Sequence, residues 1–172
     1  MRRPLAASLA AALLAAALAC PAAAETAPYR EPQGAFAFTP PPGWLTDDSG
    51  HMGPGLVAKG PAVEGSEPLI NLTHEKAGIV TLEVRWQTLL GQMRFDYERL
   101  RYLSLEEHEE ATPPWSQALY SYQRGEQAFV SLTRLVLADG RFYLMTAVAP
   151  DAAFAALHPA FLASFDSLQP GK

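Results

Sequence analysis

The stretch ALYSYQRGEQAFVSLTRLVLADGRFYLMTAV (residues 118–148) decides the fold. It contains three β-rich runs, residues 118–123, 128–137 and 142–148, with Arg124-Gly125 after the first and Ala138-Asp139-Gly140-Arg141 after the second. Asp-Gly between two such runs is the strongest short hairpin signal. Both residues tolerate positive φ, and the resulting turn matches the right-handed twist of the strands it joins. Tyr120 and Tyr122 alternate onto one face of the first run. Phe142-Tyr143-Leu144-Met145-Thr146-Ala147-Val148 is apolar on both alternating faces, which places it centrally with material on either side. The region is therefore an antiparallel meander.

Upstream of the meander the period changes. Leu82, Trp86, Leu89, Leu90, Met93, Tyr97 and Leu100 recur at three- and four-residue steps, the stripe of an amphipathic helix. Thr81 suits its N-cap, and Glu83 complements the dipole of its first turn. Residues 103–109 form a weak, acidic strand candidate. Earlier still, Ala35-Phe36-Ala37-Phe38-Thr39 reads as a first strand that Pro40-Pro41-Pro42-Gly43 stops before Trp44. Residues 47–54 read as a loop, and 56–59 and 69–74 as two further strands. Downstream, Pro150-Asp151 starts a last helix. Phe154, Leu157, Phe161, Leu162, Phe165 and Leu168 form its apolar face, and Pro159 is expected to break or restart it. Strands, a helix, a meander and a helix in that order predict an α+β domain over residues 35–169, an antiparallel β-sheet covered by helices. Residues 25–34, polar and carrying Pro28 and Pro32, read as a flexible lead-in with little to bury.

The first 24 residues have the layout of a signal peptide: basic Arg2-Arg3, an apolar run over residues 5–19, and Ala22-Ala23-Ala24 before Glu25. The run is alanine-rich and interrupted by Pro21, short of the ~20 apolar residues a spanning helix needs. Ala17-Leu18-Ala19-Cys20 offers a competing lipoprotein site, with Cys20 as the acylated first residue. Its leucine lies one place too near the cysteine, and the Ala-x-Ala site is the better match. Export to a bacterial periplasm is the expected address, with a lipid anchor through Cys20 as the alternative. Cleavage after Ala24 leaves no cysteine and hence no disulfide. It also removes two arginines, so 11 basic residues face 18 acidic ones and the charge becomes −7. Such an acidic domain is a poor partner for nucleic acid or anionic lipid.

The first strand running into a Pro-Pro-Pro-Gly-Trp turn (Phe36 to Trp44), the long helix between early strands and a late meander, and the ending Ala163-Ser164-Phe165-Asp166-Ser167-Leu168 together resemble the PsbP-like superfamily. That superfamily includes bacterial DcrB-like domains, and the likeness spans residues 36–168. It implies a compact αβα sandwich and a non-catalytic accessory role. Members range from photosystem accessory proteins to exported envelope proteins and chaperones for secreted effectors.

The residues themselves carry little chemistry. Glu106-Glu107-His108-Glu109-Glu110 is the nearest approach to a metal site. On a strand, Glu106, His108 and Glu110 share one face while Glu107 and Glu109 point away, so a charge-protected edge is the plainer reading. His51, His74 and His158 are scattered. No Gly-x-Ser-x-Gly elbow, Walker loop or Gly-x-Gly-x-x-Gly fingerprint is present. Trp115, on the proline loop Thr112-Pro113-Pro114, forms with Tyr120 and Tyr122 a candidate recognition patch. The expectation is an exported, non-enzymatic envelope module without a cofactor, binding a protein or a small apolar ligand. The rival is a metal-binding protein or enzyme built from scattered histidines and acids.

Overall fold

The computed structural model describes residues 26–50 and 55–171. The leader, Cys20 and His51 lie outside them. Seven strands form one antiparallel sheet. They are β3 (Leu45–Asp47), β4 (Leu56–Lys59), β5 (Leu69–Lys76), β6 (Glu98–His108), β7 (Trp115–Arg124), β8 (Gln127–Ala138) and β9 (Arg141–Pro150), in the spatial order β3-β4-β5-β9-β8-β7-β6. Three short strands form a second sheet, β1 (Tyr29–Arg30), β2 (Phe36–Phe38) and β10 (Gln169–Pro170), with β2 in the middle. The lead-in thus contributes a paired strand, Tyr29 opposite Phe38 and Arg30 opposite Ala37. Two helices complete the fold, α1 (Leu82–Asp96) and α2 (Asp151–Asp166).

The meander forms as its turns dictate. Asp139 and Gly140 have φ of 48° and 72°, the pair of positive angles that a two-residue hairpin of matching twist requires, and Ala138 pairs with Arg141 across it. β9 is central, between β5 and β8. Thr81 caps α1, its Oγ1 accepting from the Val84 N–H at 3.3 Å. The helix ends at Asp96, earlier than its stripe suggests. Tyr97 turns extended at φ −115°, and Leu100 already belongs to β6, where Arg99 at φ 53° accommodates a bulge. Pro159 does not interrupt α2, which runs unbroken through it.

Alternation along the strands sends side chains to two separate cores. Even-numbered residues of β8 (Val130, Leu132, Val136) meet Phe154, Phe161 and Phe165 of α2, together with Phe36 and Phe38 of the small sheet. Odd-numbered ones (Phe129, Leu135) join Trp86, Leu90 and Met93 of α1. Trp44 explains the proline turn before it. Its ring packs edge-on against Phe161 at 5.9 Å and lies over Gly60, where a Cβ would come within 2.6 Å of the indole.

The expectation of a sheet covered by helices is corrected here: the described residues are mostly antiparallel strand, in two sheets, with two helices among them. The reason is dimensional. Seven strands at ~4.8 Å spacing make a sheet roughly 34 Å wide, whereas one helix is about 10 Å across. A single helix on a face covers two or three strands, and α1 packs chiefly on β6, β7 and β8. The rest of that face is left to other devices.

Candidate functional site

The part of the sheet face that α1 leaves uncovered is a cleft of about 460 Å³. Period-two alternation builds its floor. Ser131 of β8 pairs with Val148 of β9, and Val148 pairs with Leu69 of β5. One step along, Thr133 pairs with Thr146, and Thr146 with Asn71. Strands β8, β9 and β5 therefore present a row of alternating apolar and polar groups. Thr133 is fully buried. Its Oγ1 lies 3.1 Å from Tyr120 Oη and 3.1 Å from Thr146 Oγ1, so one chain of hydroxyls crosses three strands.

Aromatic rings wall one end. Tyr97, at the C-cap of α1, donates its backbone N–H to Met93 and sets its ring 4.3 Å from that of Tyr122 and 5.6 Å from that of Tyr120. Phe129 stacks on Tyr122 at 5.7 Å. Desolvation is the main cause that pushes the Tyr120 and Tyr122 phenols up from their ordinary range, with the neighbouring Tyr97 reinforcing it. Both are neutral hydrogen-bonding groups at physiological pH. The rim is charged: Lys59 Nζ lies 3.6 Å from Glu67 Oε2, and the Arg124 guanidinium sits 5.8 Å from the Phe129 ring centroid.

This arrangement suits binding. It has an apolar body in Leu69, Val148 and Phe129, polar points in Asn71, Ser131 and Thr146, and a charged mouth. A larger groove of about 830 Å³ lies between residues 26–28, Pro40-Pro41-Pro42 and the outer side of α2. Prolines, alanines and small hydroxyl residues line it, so it offers no charge or ring to orient a ligand.

The residues singled out in the sequence fall in different places. Tyr122 lines the cleft and Tyr120 lies beneath it, both buried. Trp115 is on the opposite face, stacked on His108 at 3.9 Å with the Arg134 guanidinium 4.7 Å from its ring, so the three do not make one patch. Glu106 and His108 are exposed neighbours, 3.7 Å apart, and Glu110 lies in the turn beyond β6. His74 sits between Phe36 and Tyr143, and His158 stacks on Phe154. Among the described residues no three His, Cys, Asp or Glu side chains converge as a metal site would need. Nor is any helix among them long and apolar enough to cross a membrane. Nothing in the sequence marks Asn71, Ser131 and Thr146 as a ligand site. Only the strand register brings them together.

Solved structures share this architecture. The cyanobacterial PsbP (CyanoP) of Synechocystis sp. PCC 6803 superposes with a TM-score of 0.58 at 12% identity, over 84% of this chain and 91% of its own. The fold is PsbP-like. LpqN of Mycobacterium tuberculosis, described as involved in cell envelope biogenesis, matches this chain with a TM-score of 0.66 at 14% identity, over 85% of this chain and 90% of its own. PA94 of Pseudomonas aeruginosa, a protein of unknown function, matches with a TM-score of 0.60 at 12% identity, over 86% and 99%. No family model matches the sequence, and no curated protein does. At these identities the PsbP-like likeness is one of fold.

Proposed function

We propose that this chain is an exported, non-enzymatic accessory protein of the bacterial envelope whose cleft beside α1 holds a small ligand with an apolar body and a hydrogen-bonding end. One observation carries the reading: α1 leaves part of a sheet face open, and that part is lined by aromatic, aliphatic and hydroxyl side chains together. The hydroxyls of Tyr120, Thr133 and Thr146, bonded to one another across the strands, support a holding role. The signal-like leader, residues 1–24, supports export, and the likeness to LpqN supports an envelope setting.

Titration of the purified protein with the apolar fluorophore N-phenyl-1-naphthylamine tests the cleft. The expected result is one saturable site that Val148→Trp abolishes by filling the floor, with the circular dichroism spectrum unchanged. Saturable binding that survives Val148→Trp, or no binding to either protein, overturns the reading. The address is tested separately by cell fractionation and by the mass of the mature product, which distinguishes cleavage after Ala24 from an acylated Cys20.

A further inference from the structure

Helix α1 has a second face that packs against no other element among the described residues. Val84, Thr88, Gly91 and Phe95 fall within about 60° of arc on the helical wheel, opposite the buried Trp86, Leu90 and Met93. Phe95 is 92% exposed and Val84 56%, and Ile79, just before the helix, is fully exposed. Gly91 is the informative residue. A glycine inside a helix costs roughly 0.5–1 kcal/mol relative to alanine. A Cβ at Gly91 would meet nothing within 4 Å, so no contact among the described residues requires a glycine there. A second helix approaching closely from outside would.

We infer that α1 is a self-association surface, packing antiparallel against α1 of a second copy of this chain about a two-fold axis. Centred at the level of Leu89 and Leu90, this packing sets Val84 opposite Phe95 and Thr88 opposite Gly91. The two smallest residues, Thr88 and Gly91, then meet at the centre, where the axes come closest, and Val84 meets Phe95 at either end. A parallel pair would instead set Phe95 against Phe95 and Gly91 against Gly91, a bump beside a gap.

The charges agree with the antiparallel choice. Glu83 and Arg94 lie on one flank of the stripe, Arg85 and Asp96 on the other. A two-fold axis normal to the plane of the two helices brings like flanks together with their directions reversed. Glu83 of one copy then meets Arg94 of the second, and Arg85 meets Asp96, while Arg85 already holds Glu75 at 2.6 Å in its own chain. No like charges are set face to face. Isologous pairing of this kind is the commonest form of self-association. A 15-residue helix is only about 22 Å long, so the contact is smaller than the ~1,600 Å² of a standard interface. The dimer is accordingly weak and reversible.

Sedimentation velocity over roughly 1 µM to 1 mM, the range of weak association, tests it. The protein is expected to shift from monomer towards dimer. Gly91→Leu should leave the monomer folded, since the new side chain has open space, yet weaken association at least about tenfold. Phe95→Glu should do the same. Arg94→Glu should weaken association, and adding Glu83→Arg should restore it. A protein that stays monomeric throughout, or a dimer indifferent to Gly91→Leu and to the charge exchange, overturns the inference.

Discussion

Arg134 Nη1 lies 2.6 Å from Asp166 Oδ1, joining the middle of β8 to the last residue of α2. The arginine is 9% exposed in a strand otherwise packed on aromatic rings. Its Nε–H donates to Gln117 Oε1 at 2.9 Å, and its guanidinium lies 4.7 Å from the Trp115 ring and 5.6 Å from the Phe165 ring. A buried cation is tolerated only where its charge and its donors are met, and here a carboxylate, an amide and two π-faces meet them. The pair anchors the C-terminal end of α2 to the sheet.

Removing either partner should therefore have unequal effects. Asp166→Asn keeps a hydrogen-bond acceptor in an exposed position, so a loss of about 1 kcal/mol is expected. Arg134→Ala removes the packing on Trp115 and Phe165 as well, and should cost about 2–4 kcal/mol. Urea unfolding of the two variants measures both. An equal cost would show that the ion pair, and not the stacked side chain, is the source of the stabilisation.

Much of this architecture was legible in the chain, for local reasons. The Asp139-Gly140 hairpin, the Thr81 cap and the α2 stripe depend on neighbours a few residues apart, and each forms where the pattern places it. Tyr97 and Leu100 misled because three-residue spacing continues a helix on paper. In the structure Tyr97 closes the aromatic cluster and the strand begins at Glu98. The extent of helical cover was misread because sequence order shows how many helices exist but not how wide the sheet becomes once ten- to twelve-residue strands pair. The cleft was illegible for the same reason. Asn71 and Ser131 meet the same floor only through the register of β5 on β9 and β9 on β8.

The hydroxyl chain on that floor makes a coupled prediction. Thr133→Val keeps shape but leaves buried Tyr120 Oη without its 3.1 Å partner, at an expected cost of about 1–2 kcal/mol. Tyr120→Phe strands Thr133 less severely, because Thr146 still bonds it. The double variant should cost less than the sum of the two single ones. Chemical denaturation of all four proteins gives the coupling energy, and strict additivity would show that the three hydroxyls are not linked.

Gly60→Ala tests the seat of Trp44. The new methyl would stand 2.6 Å from the indole, which also packs edge-on against Phe161, so the ring must move out of its packed position. A loss of about 1–3 kcal/mol is expected from the resulting overpacking. Tryptophan emission should shift to the red as Trp44 gains contact with water. Unchanged emission together with unchanged stability would place the ring elsewhere.

High pH should unfold this protein through phenols that folding withdraws, wholly or in part, from water. Tyr29, Tyr120, Tyr122 and Tyr143 are all held above the ordinary phenol value of 10.0, in each case chiefly by desolvation. The folded state therefore keeps its protons where the unfolded chain, with phenols titrating near 10, gives them up. The stabilisation from these groups is fully present below pH 10 and falls as the pH rises above it, because each proton lost on unfolding pulls the equilibrium that way. Thermal unfolding followed between pH 8 and pH 12 should show a nearly level Tm up to about pH 10 and a steep decline beyond. Tyr122→Phe should soften the decline, since it deletes one of the four linked protons. A decline that begins well below pH 9 would assign alkaline unfolding to other groups.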